Sequence, residues 1–119
     1  MPWEYSQSSG ELRHNGVKIA KGYSGKDKGK DNPAMESVPF VGPIPKGLYT
    51  IGSPRDTTSR GPYVLDLTPK GHNALGRSEF LIHGDSIKNP GKASEGCIIM
   101  PRVAREKVAK SGDTLLKSS

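Results

Sequence analysis

The sequence predicts a mainly β domain that carries one short helix. Three observations carry that reading. Apolar residues come in short runs, several of them alternating with polar ones, which suits half-buried strands. Gly and Pro are abundant, at 15 and 10 of 119 residues, and both break helix interiors, so a long helical bundle is excluded. Helical spacing occurs convincingly only after Pro101.

The elements follow in order. Residues 3–7, Trp-Glu-Tyr-Ser-Gln, alternate large and polar side chains as a strand does, and Ser8-Ser9-Gly10 is a turn. Glu11 to His14 and Val17 to Tyr23 flank Asn15-Gly16, the pair that a type I′ hairpin turn requires. Ser24 to Pro39 reads as a long Gly/Lys/Asp/Asn loop. Pro43-Ile44-Pro45-Lys46-Gly47 leads rigidly into a strand over Leu48 to Gly52. Pro54 to Gly61 is a polar turn region, Tyr63 to Leu67 a strand, and Pro69 to Arg77 a loop. Glu79 to His83 is a short, largely buried strand. Gly84 to Gly96 is a loop, and Cys97 to Met100 is apolar. Pro101 is placed as the first helical residue, where its missing N–H has no partner to lose. Val103, Ala104, Lys107 and Val108 fall on one face, and Ser111-Gly112 stops the helix. Asp113 to Lys117 is a candidate last strand. One domain over residues 1–119 is expected from the length.

Composition narrows the function classes. Leu, Ile, Val and Phe make up about 19% of the chain, a level at which disorder is weighed. The net charge of +6 is too small for self-repulsion to enforce it. A pI of about 9.6 favours anionic partners: nucleic acid, anionic membrane surfaces or acidic wall polymer. The densest charged run, Lys26-Asp27-Lys28-Gly29-Lys30-Asp31, alternates sign and reads as a solvated loop, which disfavours nucleic acid. No run approaches the roughly 18 apolar residues of a membrane span. The start, Met1-Pro2-Trp3-Glu4-Tyr5-Ser6, lacks the basic and apolar regions of a Sec-type signal peptide. The expectation is synthesis in the cytoplasm, with another export route if the protein acts elsewhere.

Several motifs fail. Gly22-Tyr23-Ser24-Gly25 lacks the spacing and helix of a nucleophile elbow. Gly42 and Gly47 have P-loop spacing, but Leu48 replaces the lysine, and Cys97 does so after Gly91 and Gly96. His14, His72 and His83 show no metal-ligand spacing with one another or with Cys97, so no metal is expected.

One constellation survives. Cys97 is the only cysteine, so no internal disulfide is possible. His83 ends an apolar strand 14 positions earlier. A thiol becomes a useful nucleophile when an imidazole takes its proton, and a strand end holds that imidazole rigidly. Gly96 lets backbone approach a substrate, and the N–H groups around Gly96 and Cys97 suit an oxyanion. The same residues also suit a buried small hydrophobe and a satisfied core histidine.

Ile82-His83-Gly84 followed by Ser94-Glu95-Gly96-Cys97-Ile98 resembles the signature of YkuD-type L,D-transpeptidases, a histidine and then Ser/Thr-His-Gly-Cys after a gap. Further segments resemble the small L,D-transpeptidase-like antibacterial effectors of type VI secretion systems. They are Trp3-x-Tyr5-x-Gln7, Gly22-Tyr23-Ser24-Gly25, Gly29-Lys30-Asp31-Asn32-Pro33, Gly42-Pro43-Ile44-Pro45-Lys46-Gly47-x-Tyr49, and Gly76-Arg77-Ser78-x-Phe80-x-Ile82-His83-Gly84-Asp85. Two departures stand out: Glu95 takes the place of the second histidine, and Ile99 that of a frequent arginine.

The resemblance implies an L,D-transpeptidase-like β-sandwich or barrel. It implies attack by Cys97 on the third residue of a peptidoglycan stem tetrapeptide, with release of the terminal D-Ala. Water resolving the acyl-enzyme gives an L,D-carboxypeptidase, a D-amino acid gives exchange, and a second stem gives a cross-link. His83 would be the base and the Gly96 backbone the oxyanion donor, with Ser94 in the catalytic motif. Arg77, Arg102, His72 and Gly84 are expected on the substrate side, the arginines because guanidinium pairs bidentately with carboxylate. Glu95 either orients His83, repels acidic substrate or is a solvated loop carboxylate. Tyr23 and Tyr49 are expected as core or rim aromatics, and Asp85 as a turn residue that also suits loop orientation. The expected partners are stem peptides, an immunity protein and a secretion apparatus, with action in a target cell's periplasm. No cofactor, nucleic acid or membrane span is expected, and the protein is expected to be monomeric. The competing classes are a non-catalytic wall-binding module of the same fold and a basic nucleic-acid binder.

Overall fold

A computed structural model of the protein describes residues 2–119. Met1 lies outside the described residues, and with it the first position of the expected 1–119 domain and of the N-terminal segment read for a leader. The strands are β1 (Trp3–Tyr5), β2 (Glu11–His14), β3 (Val17–Lys21), β4 (Tyr23–Ser24), β5 (Gly47–Ile51), β6 (Arg55–Thr57), β7 (Gly61–Lys70), β8 (Phe80–His83), β9 (Ile98–Ile99) and β10 (Leu115–Ser118), with helix α1 (Arg102–Lys110) between the last two strands. The fold is mainly β, and its mixed sheet is not closed into a barrel.

The order across the sheet is β3-β2-β1-β10-β5-β7-β8-β9-β4, with β6 paired to β7 outside that path. The C-terminal strand sits in the middle. β10 runs parallel to β1, Trp3 opposite Leu116, and antiparallel to β5, Leu116 opposite Tyr49. The two outermost strands, β3 and β4, are separated in the chain by Gly22 alone. The sheet therefore curls until its edges nearly meet there. Gly22 donates its N–H to the Gly10 carbonyl at 2.8 Å. A β-carbon on Gly22 would fall 1.7 Å from the Ile99 carbonyl oxygen, which no side chain tolerates.

The concave side of this curl holds the main core. Trp3, Tyr5, Leu12, Tyr49, Leu65, Leu67, Phe80, Ile82, Ile98 and Leu116 meet Ala104 and Val108 of α1. Alternation along the strands sends the intervening residues to the other face. There Val64, Leu81 and Cys97 form a second, small apolar cluster.

Several local expectations are corrected. The Asn15-Gly16 hairpin forms with both residues at positive φ, 52° and 79°. The polar turn region from Pro54 instead contains strand β6, because β7 extends to Gly61 and pairs with it. β7 also runs through Pro69 to Lys70, carried by its pairing with β5. Pro101 is the residue before the helix, in extended conformation, and Arg102 is the first helical residue. Val103 is 62% exposed, and the buried stripe is Ala104, Arg105 and Val108. The helix is rolled by Arg105, whose guanidinium donates to the Pro62 and Tyr63 carbonyls at 2.9 and 3.0 Å. The loop from Ser24 contains two 3₁₀ turns, Asp27–Gly29 and Pro33–Met35, the second capped by the Asn32 side chain.

Candidate active site

β8 and β9 run parallel, with Ile82 opposite Ile98 and His83 opposite Ile99. Ile82 and Ile98 point into the main core. His83 and Cys97 therefore point to the other face, on adjacent strands and two residue positions apart. Both are buried, at 2% and 4% exposure.

The imidazole is held at one nitrogen only. His83 Nδ1 lies 2.8 Å from the Gly84 carbonyl. A carbonyl only accepts, so Nδ1 carries the proton and Nε2 keeps its lone pair. Nε2 is buried and has no hydrogen-bond partner among the described residues. A buried, unpartnered acceptor is costly and calls for a functional explanation. Burial holds His83 below the ordinary imidazole range. The charges of Arg60 and Arg105 push it the same way, while the Gly84 hydrogen bond and Asp85 oppose them.

The Cys97 thiol points toward the Glu79 carbonyl at 3.7 Å. Burial pushes the thiol up. The Leu81 N–H and the Arg60 and Arg77 charges pull it down, against Glu95. Both shifts favour the neutral forms, thiol and imidazole.

The turn that delivers Cys97 is hydrogen-bonded throughout. Ser94 is fully buried; its hydroxyl donates to the Cys97 carbonyl at 2.6 Å and accepts from the N–H of Gly25 and of Gly96. Ser24 donates to the Gly96 carbonyl at 3.1 Å and accepts from the Ile44 N–H. Gly96 has φ +127°, and a β-carbon there would lie 2.5 Å from an Arg77 nitrogen. Arg77 is buried, and its guanidinium donates to the carbonyls of Glu36, Pro43, Gly42 and Glu95. Ser94 and Arg77 thus shape the turn, and the Gly96 N–H is already engaged by Ser94. The sequence-based assignment of Arg77 to a substrate carboxylate gives way, since its donors are spent on backbone.

The other expected substrate residues sit elsewhere. His72 packs against Tyr49, with Nε2 2.8 Å from the Leu48 carbonyl and Nδ1 accepting from the Ala74 N–H. Arg102 stacks over Tyr63 and pairs with Glu106 along the helix. Neither lines the two cavities at Cys97 and His83; His72 is held by β5 and Arg102 by Tyr63 of β7 and Glu106 of α1. Gly84 is at the site: its carbonyl holds His83, and a β-carbon there would crowd the Arg105 guanidinium at 3.0 Å.

Two cavities open on the pair. One, of about 800 Å³, is lined by His83 and Gly84 together with Arg60, Glu95 and Arg105. The other, of about 710 Å³, is lined by Cys97 with Phe40, Arg60, Glu79 and Glu95. Both volumes are in the range of ligand sites. Tyr23 donates to Asp85 at 2.6 Å and accepts from the Ala93 N–H, and Asp85 also takes the N–H groups of Ser86 and Gly91. Asp85 is thus both a turn residue and the anchor of the loop between His83 and Cys97. Glu95 does not touch the imidazole, whose Nδ1 is on Gly84; its carboxylate faces Arg60. Among the described residues, no group of three His, Cys, Asp or Glu is placed to hold a metal ion.

Arg60, Arg105 and Ser24 were not legible as site residues. Arg60 lies in a polar turn and Arg105 in a helix, without a motif. Ser24 lies in a segment that matched the resemblance but carried no assigned role.

No curated protein matches the chain. Comparison with protein families matches residues 18–117 to the Tlde1 domain, a span that includes Cys97, His83 and every residue lining the two cavities. On a match over most of its length, the chain belongs to the Tlde1 domain family, the type VI secretion effector domains of the L,D-transpeptidase type.

Proposed function

We propose that the protein is a cysteine acyltransferase of peptidoglycan stem tetrapeptides, an antibacterial effector that works through an acyl-enzyme at Cys97. The observation that carries this reading is the free lone pair of His83 Nε2, buried on the same sheet face as the Cys97 thiol. Nε2 takes the thiol proton as Sγ attacks the carbonyl of the third stem residue. The tetrahedral oxyanion is assigned to the Cys97 N–H, since the Gly96 N–H is bonded to Ser94. Collapse breaks the amide, and Nε2–H returns the proton to the leaving D-Ala amine. Water then releases the shortened stem, or a D-amino acid takes the acyl group. Both products come from one intermediate.

Incubation with sacculi followed by muropeptide chromatography tests the proposal. Tetrapeptides are expected to decline and tripeptides or exchanged tetrapeptides to accumulate. Cys97→Ala and His83→Ala are each expected to reduce this by at least about 10³-fold, as for removal of a nucleophile or its base. Turnover that survives Cys97→Ala excludes the cysteine mechanism. A wall-binding module without chemistry is the second reading. It is favoured by the upward push on the thiol, and it predicts retention on sacculi with no change in muropeptides.

A further inference from the structure

The cavity of Cys97 and the cavity of His83 share a boundary. Ser59, Arg60 and Glu95 line both. Arg60 lies in the turn from β6 to β7, where its backbone N–H donates to the Thr57 hydroxyl at 2.9 Å. Its guanidinium faces Glu95 with a nitrogen–oxygen separation of 3.8 Å, and its side chain is about one-third exposed. That separation exceeds a hydrogen bond, which ends near roughly 3.2 Å. Other arginines near the pair are held by backbone: Arg77 by four carbonyls, and Arg105 by two through its Nη1. Arg60 combines a loosely held fork with a place on the wall of both cavities, the one lined by Cys97 and the one lined by His83. Its charge is felt at both Cys97 and His83.

We propose that Arg60 recognises the free carboxylate of the substrate, and that Glu95 occupies its guanidinium only until that carboxylate displaces it. The proposal rests on the acyl-transfer reading above. An enzyme that removes one terminal residue must sense the α-carboxylate one residue beyond the scissile carbonyl. A guanidinium beside the reacting pair is placed to do so, and its planar fork matches a carboxylate. Displacing Glu95 costs little, because a half-exposed pair at this distance is weak. Displacement also joins the two cavities, so that one substrate spans thiol and imidazole.

The test is binding of a synthetic stem tetrapeptide and of the same peptide ending in a carboxamide. The protein carries Cys97→Ala so that neither peptide is consumed. The free acid is expected to bind about ten- to hundredfold tighter than the amide, the range of a charge-assisted contact. Adding Arg60→Gln is expected to weaken the acid alone and bring the ratio to about one. Arg60→Lys should restore part of the preference. Glu95→Gln should tighten the acid by removing its competitor. Equal binding of the two peptides before Arg60 is changed, or a preference that survives Arg60→Gln, overturns the proposal. Turnover by the unmodified protein is measured separately. Acid-selective binding through Arg60 without turnover would sink the cysteine chemistry and keep the carboxylate site. Turnover indifferent to amidation would do the reverse.

Discussion

At the scale of single residues, the site is set by which hydrogen bonds are made and which are left open. His83 is oriented by a backbone carbonyl, with no side-chain carboxylate, and its second nitrogen is left bare inside the protein. This predicts a particular pH dependence. The base works only when unprotonated, and burial holds it below the ordinary imidazole range. Activity should therefore rise with pH, with its midpoint below that range, and then level off. Burial also keeps the thiol protonated beyond its ordinary range, so the plateau should extend without an alkaline fall through neutral pH. A kcat/KM profile measured from acid to mildly alkaline pH checks both limbs. A midpoint above the ordinary imidazole value would point to a stabilised thiolate–imidazolium pair instead. His83 and Cys97 were legible as a candidate pair in the sequence because their residue types, order and glycine neighbours suit that chemistry. Arg77 was misread because a buried arginine bonded to carbonyls and an exposed one awaiting a carboxylate look the same in a sequence.

At the scale of elements, the turn Ser94–Cys97 and the loop Gly84–Ala93 connect His83 and Cys97. The turn depends on Gly96 in a left-handed conformation and on the Ser94 hydroxyl. Gly96→Ala adds backbone strain and a collision with Arg77, and should cost about 2–4 kcal/mol of stability by urea unfolding. Ser94→Ala strips one buried donor and two buried acceptor contacts, and should cost about 1–3 kcal/mol together with most turnover. The loop hangs on Tyr23 and Asp85. Tyr23→Phe should leave the core intact, since the ring stays, while removing the hydroxyl that links Asp85 and Ala93. Amide exchange of residues 86–93 is expected to accelerate severalfold, with the strands unchanged. Unaltered exchange there would show that the Asp85 turn holds the loop by itself. The hairpin at Asn15-Gly16, the strands and the helix were readable because turn chemistry and side-chain period are local. β6 was not, because a polar strand of three residues exists only through the partner it finds in β7.

At the scale of the whole molecule, the curl of the sheet places the last strand at its centre and brings the two edges to Gly22. His83 and Cys97 lie on the face of the sheet opposite the main core. Among the described residues, no helix is long and apolar enough to cross a membrane. Membership of the Tlde1 domain family points to secretion and action on other cells. Expression with an added signal peptide is therefore expected to round or lyse bacteria, while expression in the cytoplasm leaves growth unchanged, and Cys97→Ala should abolish the effect. Growth curves and microscopy check this, and equal harm in both compartments would count against a wall target.

The amino-acid sequence by itself determined the mainly β class, the turn and helix signals, and which pair, Cys97 and His83, is proposed as nucleophile and base. Those follow from local rules of period, turn geometry and chemical type, and from one thiol that stands without a competing cysteine. Only the tertiary structure decided that Arg77 is spent on backbone carbonyls, that Ser94 occupies the Gly96 N–H, and that Glu95 faces Arg60 rather than His83. Those depend on distances between segments far apart in the chain, such as Arg77 against Gly42 and Arg60 against Glu95. Such distances exist only once the sheet has curled and the strands have found their register.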